Sequence, residues 1–366
     1  MVAVRQGFTP NQFTKVKSVF FSPFIEFLIM YSVSIIGASG YTGAQLVQLV
    51  IQHPKLALAG TYVSENSSDA SKNIAELHGN LAHVNATLTP ISDAALKEMA
   101  DGVDFIFLAT PHEASHDWMP VLSSGKAKVL DLSGAFRLKD TNVFEQFYGF
   151  PHTQEQSLAQ AVYGLAEWHE AQIASADVIA VPGCYPTASL SALKPLAHNN
   201  LLDESVRPVI NAVSGVSGAG RKASLNTSFF EVSLQAYGVL GHRHTPEIEA
   251  YLGTPVIFTP HLGNFKRGIL ATVTVKVKAG TTSAQLEQAY TDAYADKPIV
   301  RLRKSFPKID DVAHTPFVDL HWKLDEASGY AVITAAIDNV MKGAASQAIQ
   351  CLNIMTKQPV ETGLVL

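Results

Sequence analysis

Apolar positions begin to show a readable order at Tyr31. Tyr31-Ser-Val-Ser-Ile-Ile36 is a short buried-strand pattern, and Ala44-Gln-Leu-Val-Gln-Leu-Val-Ile51 has the spacing of an amphipathic helix. Leu56–Val63, Val103–Thr110, Lys128–Ser133 and Asp177–Val181 are further apolar strand runs. One helix is predicted after Pro111-His112 through about Ser124, and another from near Thr187. Short apolar strands alternating with helices predict a parallel, doubly wound sheet.

The texture changes after Cys184. Arg207–Ser214, Pro255–Thr259, Gly268–Lys278 and Gly329–Ile337 read as strands, several with apolar and polar residues in alternation. Long alternating strands with few helices between them predict a mixed or antiparallel sheet covered on one face. A last helical period, roughly Gly343–Met355, is placed to return to the first domain.

Composition narrows the classes. The 366 residues are 47% apolar, enough for two domains with substantial cores. A net charge of -5, with no basic tract interleaved with aromatics, argues against a nucleic-acid partner. Cys184 and Cys351 are too few for a disulfide framework and fit a reducing cytoplasm. No run approaches the roughly 20 apolar residues of a membrane span, and no zinc-type spacing is present, so neither membrane nor metal is expected. Residues 1–29 read differently, as a leader or an upstream extension, with Met30 placed where the recognisable fold begins.

The glycines at 37, 40 and 43 lie between a strand and a helix, the context in which a glycine turn signals a dinucleotide. Gly37 suits the tight turn, Gly40 the approach of a pyrophosphate, and Gly43 the packing of helix on strand. The second strand ends in Ser64-Glu65-Asn66-Ser67-Ser68, hydroxyls where an NAD enzyme would usually carry an acid. That favours NADP.

Pro182-Gly183-Cys184-Tyr185-Pro186-Thr187 joins a strand to a helix, a place where a thiol is either reactive or an inert core residue. Free N–H groups and the dipole at a helix start lower a thiol pKa. A base for it is offered by Gly241-His242-Arg243-His244-Thr-Pro-Glu247, whose histidines alternatively cap the helix that follows. Ser133-Gly-Ala-Phe-Arg137 puts a hydroxyl and a guanidinium at a strand end, and Ser214-Gly-Val-Ser217-Gly-Ala-Gly-Arg221 is a candidate anion-binding loop.

With Tyr163-Gly-Leu165 and Asn339-Val-Met-Lys-Gly-Ala345, these stretches make the chain from Met30 to Leu366 resemble the N-acetyl-γ-glutamyl-phosphate reductases of arginine biosynthesis. The resemblance implies an α/β protein of the semialdehyde-dehydrogenase and glyceraldehyde-phosphate-dehydrogenase type. Its parts would be a Rossmann-type NADP-binding domain over 30–183, completed by a helix within 340–366, and an α+β catalytic and oligomerisation domain over 184–339. It implies Cys184 as nucleophile with His242 as its base. Ser133, Arg137, Ser217, Arg221, Arg243 and His244 would lie around an acyl-phosphate substrate. Gly37, Ser39, Gly40, Tyr41, Thr42, Gly43, Ser64 and Asn339 would hold NADP(H). A homo-oligomer, dimer or tetramer, is expected. Gly134-Ala135 stands where the family pattern leads one to expect Ala-Asp, and residues 1–29 have no counterpart. Aspartate-semialdehyde dehydrogenase and N-acetyl-aminoadipyl-phosphate reductase share this chemistry, and a non-catalytic NADP sensor could share the fold. The His242-Arg-His-Thr-Pro-Glu-Ile248 run argues against the first of these.

Overall fold

A computed structural model describes residues 30–365, so the expectation for residues 1–29 lies outside the described residues. The first sheet contains β1 (Tyr31–Ile36), β2 (Leu56–Val63), β3 (Leu88–Pro90), β4 (Phe105–Leu108), β5 (Lys128–Asp131), β6 (Val162–Tyr163) and β7 (Val178–Ala180). Their order is β3-β2-β1-β4-β5-β7-β6, and every neighbouring pair is parallel. Strands such as β4, with all four residues buried, read as continuous apolar runs because helices cover both faces.

The second sheet is mixed. It holds β8 (Val209–Gly215), β9 (Gln235–Ala236), β10 (Ile257–Gly263), β11 (Ile269–Lys276), β12 (Val300–Leu302), β13 (Val318–Asp325) and β14 (Tyr330–Ile337). The order is β12-β13-β14-β11-β8-β10-β9, with β10 parallel to β8 and β11 antiparallel to both β8 and β14. Along β11, Ile269, Ala271, Val273 and Val275 are buried while the residues between them are half-buried, the alternation of a sheet covered on one face.

Two helices stitch the sheets together. The helix Cys184–His198 starts just beyond the end of β7, yet Ala188, Leu190, Ala192 and Leu193 lie in the second sheet's core. The helix Ser346–Met355 returns to the first core, where Ile349, Cys351 and Leu352 pack among Val33, Val47 and Ile179. β13 was not among the strands read from the sequence, although Val318, Leu320, Trp322 and Leu324 alternate along it.

Candidate active site

The glycine turn has the geometry its spacing predicts. Gly37 has φ 86°, and a Cβ on it would fall inside the carbonyl of Ala109. A Cβ on Gly43 would overlap Gly37 and Ala38, so this residue lets the helix Tyr41–Gln52 close on the turn. At Gly40 the nearest atom to such a Cβ is 3.6 Å away, which leaves its backbone approachable. No acid lies in the first turn of that helix, so its free N–H groups present an undiminished positive end, a fit for pyrophosphate. Tyr41 and Thr42 border the cavity in front of the turn. Ser39 instead engages His78 through its carbonyl, and Ser64 is exposed just past β2.

Cys184 is the first residue of its helix, three residues earlier than the expected start near Thr187. It lines a cleft of about 270 Å³ with Arg137, Arg243, His244, Asn339 and the glycine turn. Ser217, Gly218 and Arg221 close another wall, which continues into a basic cleft of about 560 Å³ bordered by Lys222, Lys266 and Arg267. The cysteine is wedged from behind. A Cβ on Gly343 would stand 2.7 Å from the Cys184 Cβ, and one on Gly183 would stand 2.6 Å from His244 Nε2 and 2.9 Å from Arg137 Nη1. Burial pushes the thiol up to about 11, more than the Tyr185 N–H and the nearby arginines pull it down. The helix-start effect expected from the sequence is present but outweighed, so the thiol needs a base.

The two histidines of the His242-Arg-His244 run are not equivalent. His242 Nδ1 accepts from His244 N at 3.1 Å, and its ring is boxed edge-on by Tyr185, Tyr237 and Phe258. It thereby meets the first N–H of the helix His244–Leu252, and it does not line the cleft. His244 does line it, with Nε2 against Gly183 and a buried Nδ1 that has no partner among the described residues. Both imidazoles are held below their ordinary pKa, chiefly by burial; Arg243 adds to it at His242, and His242 followed by Arg137 and Arg243 add to it at His244. Of the two imidazoles, His244 and not His242 lines the cleft with Cys184, whereas the sequence led to His242 as the base.

Three further expectations are altered. Arg137 is buried and largely committed: Nε donates to Val181 O, Nη2 to Leu132 O, and Nη1 to Glu247 at 3.3 Å. Burial disfavours its charge, but Glu247 together with Tyr148, Tyr163 and Asp131 more than restores it, while the group still borders the cleft. Ser133 turns inward, donating to Asp131 at 2.8 Å, and does not line the cleft. Arg221 borders the cleft but is ion-paired with Asp69. Asn339 is held from both ends, accepting from Gly268 N at 2.7 Å and donating to Ser217 at 2.9 Å. The departure at Gly134-Ala135 also acquires a reason. A Cβ at 134 would collide with the Tyr148 side chain, and Ala135 is fully buried where an aspartate would be desolvated.

Glu247 was missed as a site residue. Fully buried, it accepts from Gly183 N at 2.8 Å and from Tyr163 Oη at 2.8 Å besides pairing with Arg137. It thus ties the cysteine turn to the histidine helix. Lys342 was missed too. It is completely buried and donates to Glu167 and Gln347 at 2.5 Å and to Gln350 at 2.6 Å, beside the turn that presses Gly343 onto Cys184. Their positions inside motifs were the only signal, because a buried glutamate and an exposed one read alike in sequence. Among the described residues, no group of three His, Cys, Asp or Glu side chains is placed to hold a metal ion.

A family model described as semialdehyde dehydrogenase, NAD binding domain, matches residues 32–176, and one described as semialdehyde dehydrogenase, dimerisation domain, matches 184–339. The chain is 95% identical to an N-acetyl-gamma-glutamyl-phosphate reductase of Alteromonas mediterranea over 92% of this chain and 100% of that protein. It is 61% identical to one from Pseudoalteromonas atlantica over 92% and 98%. Among solved structures, aspartate semialdehyde dehydrogenase II of Vibrio cholerae, complexed with ASA, aligns with a TM-score of 0.66 at 17% identity, covering 90% of this chain and 98% of that one. The aspartate semialdehyde dehydrogenase with NADP from Candida albicans aligns at 0.61 and 12%, covering 89% and 98%. At such identities these two show the shared fold.

Proposed function

The chain belongs to the N-acetyl-γ-glutamyl-phosphate reductase family, and on that footing we propose that it reduces N-acetyl-L-glutamyl 5-phosphate to the 5-semialdehyde and phosphate. NADPH is the proposed hydride donor and arginine biosynthesis the pathway. The observation that carries the reading is the convergence of Cys184, His244, Arg137, Arg243 and the glycine turn on one cleft.

In this reading the Cys184 sulfur attacks the acyl carbon. The C–S bond forms, the carbon–oxygen bond to phosphate breaks, and a thioester remains on the protein. His244 takes the thiol proton. A thiol near 11 facing a depressed imidazole makes that transfer uphill, and a multiply charged anion entering beside Arg137 and Arg243 reverses part of the bias by raising the imidazole's proton affinity. The glycine turn and the free N–H groups of the helix after it would hold the cofactor's pyrophosphate, and Asn339 its nicotinamide end. A nicotinamide cofactor held there would supply a hydride to the thioester carbon on Cys184. His244 then governs the proton on that carbon's oxygen as the aldehyde leaves. The hydroxyls after β2, Ser64 among them, favour the 2′-phosphate of NADP.

A homo-oligomer is part of the proposal. The half-buried face of β11 offers a sheet surface, and Phe229 and Phe230, at 86% and 94% exposed, offer apolar surface, for a second copy to cover. Among the described residues no helix is long and apolar enough to cross a membrane, and a cytoplasmic location is proposed with the pathway.

The test is the reverse reaction. Reduction of NADP by N-acetylglutamate 5-semialdehyde should require phosphate and disappear in Cys184→Ala. NAD, aspartate semialdehyde and the one-carbon-longer aminoadipate analogue are run alongside. Equal turnover without phosphate, or undiminished turnover in Cys184→Ala, would refute the acyl-phosphate mechanism.

A further inference from the structure

A second imidazole borders the reaction cleft, and nothing above gives it a task. His112 opens the helix His112–Leu122 directly after β4 and lines the cleft with Cys184, Arg137 and Arg243. Its Nδ1 lies 2.7 Å from Gly134 N, and because a backbone N–H can only donate, Nδ1 is the unprotonated acceptor. The proton of a neutral ring must then sit on Nε2. Among the described residues Nε2 meets no hydrogen-bond partner, and it opens on the cleft the ring lines. Tyr148 meets the ring edge-on at 5.0 Å and 85°, and the Tyr148 side chain also covers Gly134. The ring plane and its tautomer are therefore set by the same loop.

We propose that His112 presents Nε2–H as a fixed donor to the phosphoryl group, completing an anion site with Arg243 and the free side of Arg137. This deepens the proposed function and rests on it. Arg137 is balanced by Glu247, whereas Arg243 has no carboxylate ion-pair partner among the described residues, so an uncompensated positive charge faces the cleft. A neutral donor beside it adds directionality without adding charge. Burial, then Arg243 and Arg137, hold the imidazole down at about 3, so it stays a neutral donor throughout the neutral range. During acyl transfer the carbon–oxygen bond breaks and its electron pair goes to the departing phosphate oxygen. His112 stabilises that oxygen by a hydrogen bond and gives up no proton.

Two substitutions separate the anchor from the donor. In His112→Asn the side-chain oxygen can still accept from Gly134 N–H, but nothing reaches into the cleft. In His112→Gln an amide N–H extends to about the place of Nε2. In the phosphate-dependent reverse reaction, His112→Asn should raise the KM for phosphate, and for arsenate used in its place, roughly ten- to a hundredfold. The KM for NADP should stay unchanged, and His112→Gln should recover much of the loss. Unchanged phosphate KM in both variants, or a rise confined to the KM for NADP, would overturn the proposal. If His112→Asn does not fold, a wild-type phosphate KM in His112→Ala or its absence of recovery in His112→Gln gives the same refutation. A wild-type enzyme that needs no phosphate would instead refute the proposed function itself, which keeps the two failures apart.

Discussion

Beneath Cys184 the polar groups are buried and held: Glu247 joins Gly183, Tyr163 and Arg137, and Lys342 is enclosed by Glu167, Gln347 and Gln350. Along the wall formed by Gly215–Arg221 and the chain after it, backbone bonds to Phe265, Lys266 and Gly268 hold the first residues, but side-chain connections are few. Ser217 meets Asn339, Arg221 meets Asp69, and Leu225, Phe229, Phe230 and Leu240 stand exposed. The difference teaches where precision is needed. The sulfur, its proposed base and the turn behind it must hold fixed distances, so their supports are interior groups whose loss costs stability and rate together. Residues that meet a ligand arriving from solvent can sit on a wall with few anchors, where a change costs binding and little else.

The largest effect should fall on the base. His244→Asn should slow turnover by roughly 10²–10⁴-fold, with His242→Asn slower by much less, as steady-state rates will show. The reverse order would return the base to His242 and break the assignment drawn from the cleft. Next comes the floor's ion pair. Glu247→Ala strands the buried Arg137 and should cost about 3–5 kcal/mol in urea unfolding, along with most of the activity. Wild-type stability would mean that Arg137 finds water or another partner, and the floor would not be the rigid half.

Gly343→Ala should cost about 1–3 kcal/mol and at least roughly tenfold in rate, because its methyl must displace Cys184. Full activity with lowered stability would show that the sulfur has room to move. Acid should act through the buried imidazoles. His112 is held at about 3, and His152, His169 and His242 at about 4, all chiefly by burial. Since each folded pKa lies below the unfolded value of 6.5, the unfolded chain binds more protons in between. Their contribution is complete above about 6.5 and is lost as the pH falls toward 4. Denaturant titrations at pH 7 and pH 5 should therefore differ, and equal stabilities would count against neutral burial of these rings. The smallest effect belongs to the wall. Arg221→Ala removes a partly exposed pair and should cost at most about 1 kcal/mol, showing itself in a substrate KM. A large drop in melting temperature would erase the contrast between floor and wall.

The glycine turn and the cysteine turn were legible because each depends on residues within a few positions of one another. A glycine at 37 permits its φ, and a run from strand to helix places Cys184 at a helix start wherever the rest of the chain goes. The parallel and mixed sheets followed from run length and alternation. The difference between His242 and His244 was not legible, because it depends on which imidazole engages the adjacent backbone and which lines the cleft of a cysteine some sixty residues earlier. Arg137 looked like a free anion ligand, and only the tertiary structure brings Glu247 up against it from 110 residues away.

By itself, then, the sequence determined the two sheet types, the dinucleotide-style turn and a thiol at a helix start, all products of local backbone preference and short-range periodicity. Tertiary structure alone decided that His244 lines the cleft of Cys184, that Ser133 turns inward, and that Gly343 is the backstop of Cys184. Those outcomes are set by packing between segments far apart in the chain, where a single buried contact fixes a direction that no local pattern encodes.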